Sequence, residues 1–359
     1  MNCTHYYEAL KERFPKNINY HKNTNTYYLT KCSYIRHALQ KVERRNISNI
    51  QLDWKMHDTS SRDAIVYFNK FFKNIDNVNE TDWRVTIPAA SLDREREILQ
   101  VLMQGRLQSG EKVDIANEWI RPAVSRLLFD MVFSNCELAA WSQEAYAAAY
   151  GIVTFLDEKY GSQAEKDTCI RAFQKNLESV LKSCKTDMSR VMAKFSIFAT
   201  GHETPANVIC NIIYHDVKKY RDNSAKMISE GIRIDPPLQR IIRYLREEIE
   251  IDGQLLPAGA RLGLHLGLAS RDKMVFKNPE KFDISNGQEQ LELFFGQPKA
   301  GCPGRHVVFQ ITRSLMPLLD DALDEWAVSG AEWLSNPDVR GILKLYVQCR
   351  DCNLKCVPA

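Results

Sequence analysis

The clearest candidate for chemistry is Cys302, in a loop that reads FFGQPKAGCPG from Phe294 to Gly304. The loop is rich in Gly and Pro and leads into a helical pattern, so the cysteine lies near a helix N-terminus. Free backbone N–H groups and the helix dipole there favour a thiolate over a thiol. Gly301 and Gly304 let backbone or a flat ligand approach closely. Such a thiolate suits a nucleophile or an axial ligand to haem iron; the alternative is a cysteine packed beside a tight turn.

A second candidate is the segment Gly201 to Thr204, which interrupts a long helical pattern. Pro205 follows directly, and Gly and Pro so close together distort a helix. The neighbouring acid and hydroxyl of Glu203 and Thr204 provide a proton route, and a broken backbone bond leaves room for water or a small ligand. The alternative is an ordinary kink in which Thr204 bonds back to a carbonyl.

A third motif is the pair Glu230 and Arg233, three residues apart in a helical pattern that ends before Pro236 and Pro237. At this spacing the two side chains share a helix face and can form a charge-assisted pair. Such pairs are common in helices. Its place before a β-rich stretch makes this one more informative.

Composition excludes several classes of protein. The 359 residues are 44% hydrophobic and 26% charged, as in globular proteins. The net charge of +3 argues against nucleic acid as a partner. No apolar run approaches the roughly 18 residues of a membrane span, and residues 1–16 lack the apolar stretch of a signal peptide. We therefore expect a cytoplasmic protein with no membrane partner, whose ten cysteines are reduced thiols or ligands.

The apolar spacing predicts a mainly α protein with a small β region between about residues 240 and 270. Helices are predicted over residues 63–73, 94–107, 115–133, 137–160, 169–181, 187–220, 226–234 and 304–328. Residues 247–266 alternate as strands do, with turns at Asp252-Gly253 and at residues 257–259. A short strand followed by a helix is predicted between Tyr27 and Leu39, and a strand over residues 342–347. Residues 74–92 and 270–300 read as loops.

Taken in order, the three motifs resemble those of the cytochrome P450 family. The family has a distorted central helix with Gly-x-Glu-Thr, a Glu-x-x-Arg helix, and a Phe-Gly loop whose cysteine stands seven residues after the Phe, as Cys302 does after Phe295. The resemblance is strong over residues 190–348 and looser over 27–185. It implies a mainly α protein with a small β region, a single domain of cytochrome P450 type over residues 1–359 with a shortened N-terminus.

The resemblance also implies a cofactor and the residues that hold it. Cys302 would be the proximal thiolate to haem b (iron protoporphyrin IX), with Phe295 and Gly304 beside the sulfur. Arg243 matches the arginine that binds a haem propionate, and its forked donors suit a carboxylate. The second propionate contact is less clear; His57 and Arg62 are the candidates.

The resemblance assigns further residues by position. On the distal side Gly201 would open a groove for oxygen, Thr204 would hydrogen-bond the oxygen, and Glu203 would help to deliver protons. Glu230 and Arg233 would stabilise the region behind the cysteine loop together with Lys281. The substrate would be contacted by Phe198 and Ala199 and by Gln239 and Arg240, which follow the double Pro.

The chain departs from the family pattern in several places. Pro298 stands where the family commonly has Gly, and Ala300 where it has a basic residue, so one propionate contact is missing. Lys281 replaces the arginine that completes the Glu-Arg triad and cannot make a bidentate fork. Only 26 residues separate Thr204 from Glu230, which indicates a trimmed connecting helix. None of these changes touches Cys302, Glu203 or Thr204.

The activity implied is a haem-thiolate monooxygenase that inserts one oxygen atom from O2 into a small organic substrate, with electrons from a separate ferredoxin or flavodoxin-type donor. One alternative is a peroxide-driven or non-oxygenating haem-thiolate enzyme, although the Glu203-Thr204 pair favours O2 activation. A second is a haem-binding protein without turnover. The cysteines at 349, 352 and 356 resemble part of a metal site, but no close fourth ligand completes it, which favours reduced surface thiols.

Overall fold

The computed structural model describes residues 3–42, 86–109, 111–133, 201–215, 224–286, 291–296, 302, 304–335 and 339–350, with isolated positions 164, 167, 168, 171, 175, 197 and 198. Its α-helices are α1 (Cys3–Arg13), α2 (Cys32–Lys41), α3 (Ala89–Ser109), α4 (Arg121–Phe133), α5 (Glu203–Tyr214), α6 (Ser224–Ile234), α7 (Leu266–Ala269), α8 (Leu291–Phe295) and α9 (Arg305–Ala322). A π-helical turn, Ala116–Ile120, leads directly into α4. In the part of the chain described, no helix is both long enough and apolar enough to cross a bilayer.

The strands are β1 (Ile18–His21), β2 (Thr26–Leu29), β3 (Val113–Asp114), β4 (Ile241–Tyr244), β5 (Ile249–Ile251), β6 (Gln254–Leu256), β7 (Arg261–Leu264), β8 (Trp326–Ser335) and β9 (Arg340–Cys349). Among the described residues they form three small sheets, ordered β1-β2-β7-β4, β3-β9-β8 and β5-β6. β2 and β7 run parallel, with Thr26 opposite Arg261, and β4 returns antiparallel beside β7. The sheets therefore join residues far apart in the sequence.

Local sequence explains the turns in the β-rich region. The β5–β6 hairpin turns at Asp252 and Gly253, which have φ of 55° and 72°. Positive φ at both central residues is what a two-residue hairpin turn requires, and Asp-Gly tolerates it. Gly259, with φ of 75°, closes the next turn before β7. Both turns agree with the sequence prediction.

The core contains two large apolar clusters. The larger one packs α3, α4, α5, α6 and α9 together with β8 and β9. The second lies between α2 and the sheet that contains β2 and β7. On α2, Cys32, Ile35 and Ala38 recur every three residues and are fully buried, which places this face of the helix on the sheet. A smaller cluster holds α1 against the same sheet through Tyr7 and Phe14.

The structure differs from the sequence prediction at the end of the long C-terminal helix. The apolar spacing predicts helix as far as residue 328, but α9 ends at Ala322 and Trp326 already pairs with Cys349 in the ten-residue hairpin of β8 and β9. The strands β1, β3 and β8 were not predicted either, whereas β2 and β9 agree with the strands predicted from Tyr27 and over residues 342–347. Antiparallel pairing with the following strand, β9, overrides the local pattern in residues 326–328.

Candidate active site

Cys302 lies directly before α9, whose N-cap residue is Gly304. The Cys302 N–H donates to the carbonyl oxygen of Phe295 at 2.6 Å, and the Arg305 N–H donates to the carbonyl oxygen of Cys302 at 3.3 Å. These two bonds hold the cysteine between the end of α8 and the start of α9. A Cβ built on Gly304 would lie 3.7 Å from the sulfur, an ordinary contact distance. The loop thus presents the thiol at a helix N-terminus.

Two opposing effects act on the Cys302 thiol. Desolvation by the surrounding protein is the larger effect and raises the pKa of the thiol above its usual value, while the backbone N–H groups of Gly304 and Arg305 lower it by less. The residue nevertheless remains exposed, whereas Cys32, Cys210 and Cys349 are buried. An exposed sulfur that already receives two backbone donors suits a ligand able to stabilise its anion.

The aromatic residue of the loop packs against the first two turns of α9. The Phe295 ring is buried and lies 6.4 Å from the Phe309 ring, centroid to centroid. The Arg305 guanidinium stands 6.0 Å from the Phe295 ring centroid, at the outer limit of a cation–π contact. Phe295 therefore packs the end of α8 against α9.

The structure gives Glu203 an ion-pair partner that the sequence analysis did not identify. Glu203 begins α5, and its two carboxylate oxygens lie 3.2 and 3.3 Å from Nε of Arg121 on α4. The Arg121 side chain is 6% exposed and that of Glu203 17% exposed. In the sequence, Arg121 interrupts an apolar stretch just before Pro122. Such a pattern is typical of a buried and paired arginine.

The residues around Glu203 are tightly packed. A Cβ on Gly201 would lie 2.5 Å from the carbonyl oxygen of Ile197, so only glycine fits there without movement of the backbone. The His202 ring is buried and lies 4.8 Å from the ring of Phe198, which also contacts Phe129 at 5.9 Å. Thr204 is partly buried. Phe198 thus packs against protein side chains in the core, and its contact with a substrate stays a prediction.

Three described histidines predict a pH dependence of stability. Burial lowers the pKa of His202 and of His265 to about 3 and that of His215 to about 4, from 6.5. Below pH 6.5 the unfolded chain binds protons at these histidines, whereas the folded chain does not. The free energy of unfolding therefore falls as the pH drops from 6.5 towards 4. Acidification from pH 7 to pH 5 lowers the free energy of unfolding by about 2 kcal/mol for each of these histidines.

The check is urea unfolding at pH 7 and at pH 5, with and without His202→Gln. We expect the wild type to lose stability on acidification, and the variant to lose less by the share of one histidine. An equal loss in both proteins would show that His202 is protonated in the folded state.

Glu230 and Arg233 pair inside the protein. Arg233 Nε and Nη2 donate to the two Glu230 oxygens at 2.7 and 2.6 Å, and both side chains are 3% exposed. Arg233 also donates to the carbonyl oxygens of Ser270, Pro279 and Lys281, each at 2.8 Å. The pair therefore joins α6 to residues 270–283.

Lys281 takes part in this cluster through its backbone. Its carbonyl oxygen accepts from Arg233, while the Asp283 N–H donates to Glu230 at 2.7 Å and the Asn286 amide at 3.5 Å. The side chain that reaches the carboxylate from this segment is thus Asn286, which the sequence analysis overlooked. The neutral amide donates one hydrogen bond to Glu230. An arginine as the third member of the cluster would donate two parallel ones.

The remaining described candidates have partners within the protein. Arg243, on β4, donates to the carbonyl oxygen of Ile242 at 2.8 Å. Gln239 is fully buried and donates to Tyr7 at 3.1 Å and to the carbonyl oxygen of Pro236 at 2.7 Å. Arg240 donates to the Tyr28 hydroxyl at 3.2 Å and lies over its ring. Their contacts with haem or substrate stay predictions.

Several predicted residues fall outside the described part of the chain. These are His57, Arg62, Ala199, Pro298 and Ala300, and the cysteines at 352 and 356. Cys349 is buried at the end of β9. The second propionate contact and the C-terminal metal site therefore stay predictions.

A family model and solved structures match this arrangement. The cytochrome P450 family model matches residues 224–294, which hold α6 with its Glu230–Arg233 pair and the β-rich region. P450BioI, solved in complex with an acyl carrier protein ligated to hexadec-9Z-enoic acid, superposes with a TM-score of 0.70 at 17% identity, over 96% of this chain and 97% of that one. CalO2 gives a TM-score of 0.71 at 18% identity, over 96% and 95%. The fold is thus that of these cytochrome P450 structures, and the match to the cytochrome P450 family model covers residues 224–294. The mainly α fold predicted from the sequence is confirmed.

Curated P450 relatives match shorter segments. The biotin biosynthesis cytochrome P450 of Bacillus subtilis (strain 168) is 31% identical over 142 residues, which is 35% of this chain and 36% of that protein. Cytochrome P450 119 of Sulfurisphaera tokodaii is 33% identical over 114 residues, 30% of this chain and 31% of that one. The matched segments thus span about a third of the length of each of these two relatives.

Proposed function

We propose that this P450 is a haem-thiolate monooxygenase with Cys302 as the proximal ligand. The observation that carries the proposal is the exposed Cys302 sulfur at the start of α9, which receives the N–H groups of Gly304 and Arg305. Cytochrome P450 monooxygenase PikC of Streptomyces venezuelae, 23% identical over 59% of this chain and 53% of its own length, supports the same activity.

The residues present fit an iron porphyrin, and haem b is the form we assign. An exposed sulfur with two backbone donors supplies the anionic ligand, and Gly304 keeps the space beside it free of a side chain. Phe295, whose carbonyl oxygen accepts from the Cys302 N–H, would moderate the potential of the bound iron. Arg243 is assigned to one propionate and His57 or Arg62 to the other. When bound, the haem supplies the chemistry of O2 activation, which thiolate ligation favours.

The start of α5 is assigned the distal functions. Glu203 is proposed to relay protons through its carboxylate and Thr204 to pass them on through its hydroxyl, while the tight contact at Gly201 keeps the backbone close-packed there. Phe198, Ala199, Gln239 and Arg240 are proposed to shape the substrate pocket. Glu230, Arg233 and Lys281 are proposed to support the proximal side through the cluster that joins α6 to residues 270–283.

The further parts of the proposal concern partners and location. The substrate is a small organic molecule of specialised metabolism, and the two electrons come from a ferredoxin or flavodoxin-type protein. Arg305, at the start of α9, lies where such an acidic donor would be steered by charge. The chain is proposed to act in the cytoplasm as a single cytochrome P450-like domain.

A spectroscopic experiment tests the proposal. The purified protein, reconstituted with haem, is expected to bind about one haem per chain and, when reduced under carbon monoxide, to give the red-shifted Soret band of a thiolate-ligated iron. Substrate candidates are then screened by the spin-state shift that they cause. Turnover with H2O2, and none with O2 plus ferredoxin and reductase, would replace the monooxygenase by a peroxide-driven enzyme. Haem binding with no spin shift in a broad library and no turnover would indicate a haem-binding protein without activity.

A further inference from the structure

We propose that Arg121 is the positioning residue for Glu203, and that it sets the path by which Glu203 delivers protons. The inference rests on the proposed monooxygenase activity and deepens it. The observation that carries it is the buried pair between α4 and α5, in which Nε of Arg121 lies 3.2 and 3.3 Å from the two carboxylate oxygens of Glu203.

The guanidinium of Arg121 is held in place on all its nitrogens. Nη1 donates to Oδ1 of Asn117 at 3.0 Å and to the carbonyl oxygen of Leu343 at 3.1 Å. Nη2 donates to the carbonyl oxygen of Ile342 at 2.6 Å. Because these bonds come from the π-helical turn and from β9, the remaining donor, Nε, points at Glu203 in a fixed direction. A lysine cannot copy this fork.

The backbone at Arg121 is shaped for this orientation. The N–H of Arg121 donates to the carbonyl oxygen of Ala116, five residues earlier, which closes the π-helical turn Ala116–Ile120. A π turn inserts one extra residue into the helix and changes the direction of the side chains that follow. Such turns are rare and often lie at functional sites. Pro122 comes next, and its missing N–H is tolerated in the first turn of α4.

The consequence for Glu203 is a fixed orientation. Consecutive residues on an α-helix point about 100° apart, so Glu203 and Thr204 face different directions. Arg121 holds the carboxylate on the side of α4 and β9. A proton that this carboxylate takes up and passes to the Thr204 side therefore follows a path that Arg121 defines, and release of the pair lets the carboxylate turn away from that path.

A matched pair on the same helix supplies the control. Arg126 on α4 donates through Nε and Nη2 to the two Glu95 oxygens at 2.8 and 2.5 Å, and the Glu95 side chain is fully buried. The Arg126–Glu95 pair joins α3 to α4 and is distinct from the Arg121–Glu203 pair. Arg126→Lys thus reproduces the loss of a buried fork without disturbing the proposed proton path.

The experiment uses the haem-loaded protein, a substrate found by spin shift, and a surrogate ferredoxin with its reductase. In Arg121→Lys we expect about a tenfold fall in product formed per NADH, a ratio of rates in H2O and D2O at least twofold above wild type, and an unchanged spectral Kd for substrate. Glu203→Gln is expected to act alike, and the double variant to be no worse than the more impaired single variant. Arg126→Lys is expected to keep the wild-type coupling and ratio.

Two results would overturn the inference: wild-type coupling and isotope ratio in Arg121→Lys while Glu203→Gln is impaired, or losses in the double variant that multiply. The carbon-monoxide spectrum separates these from failure of the proposed function, since it is expected to be normal in all variants. A second readout needs no haem. The ¹³C-carboxyl resonance of Glu203, assigned by its loss in Glu203→Gln, is expected to shift in Arg121→Lys and to stay in Arg126→Lys; no shift in Arg121→Lys counts against the inference.

Discussion

Replacement of Cys302 by serine is expected to abolish the red-shifted Soret band of the reduced, carbon-monoxide-treated protein and to remove monooxygenase turnover. The sulfur at the start of α9 is the assigned anionic ligand, and a serine hydroxyl at the same place remains protonated and binds iron far more weakly. The measurement is the carbon-monoxide difference spectrum, with haem content determined on the same sample.

Cys32→Ala is the matched control for this experiment. Cys32 is fully buried on α2, and desolvation raises the pKa of its thiol to about 11, so it stays protonated and is no ligand. The control variant is expected to keep the complete spectrum, with at most a small loss of stability. A red-shifted band that survives in Cys302→Ser would refute the assignment of Cys302 as the proximal ligand.

Arg340→Met is expected to lower the free energy of unfolding by about 3–5 kcal/mol, the usual cost of removing one partner of a buried ion pair. Arg340 is fully buried on β9 and its Nε donates to the Asp235 carboxylate at 2.8 Å. Its guanidinium also lies 4.2 Å from the Tyr6 ring and 4.3 Å from the Trp333 ring. The substitution removes both interactions and leaves Asp235 with the Tyr7 hydroxyl at 3.0 Å.

Urea unfolding monitored by circular dichroism measures this loss, and two further variants test its cause. Asp235→Asn in the Arg340→Met background is expected to recover part of the stability, because the unpaired buried charge is then removed. Lys344→Met, on the same strand, breaks the exposed pair with Glu332 and the contact with Tyr346, and is expected to leave the unfolding midpoint near wild type. If Arg340→Met unfolds at the same urea concentration as Lys344→Met, the buried pair does not stabilise the fold.

The prediction for Cys302 rests on a residue that the sequence identifies, whereas the Arg340–Asp235 pair is seen only in the structure. Cys302 could be found from the loop alone, because its glycines and prolines and the helical pattern that follows are local features. The Glu230–Arg233 pair was equally accessible, since a spacing of three on one helix brings two side chains together wherever the helix lies. The β5–β6 turn followed from Asp252-Gly253 for the same reason.

The prediction from the local sequence pattern was wrong where pairing with another strand determines the secondary structure. Residues 326–328 have a helical pattern of apolar side chains, but β9 pairs with them and they form the start of β8. Residues 113–114 are too few for a sequence pattern to predict a strand. β3 forms because Val113 and Asp114 pair with β9. In both places the hydrogen bonds that form the strand come from β9.

What the sequence by itself determined is the set of groups available for chemistry: a thiol before a helix, an acid beside a hydroxyl at a helix break, and an acid and an arginine on one turn. The tertiary structure decided which groups meet them. Arg121 is 82 residues from Glu203, Asn286 is 56 from Glu230 and Asp235 is 105 from Arg340. Such partners are selected because burial makes an unpaired charge costly, and only the packing of helices and strands determines which opposite group is close enough to compensate it.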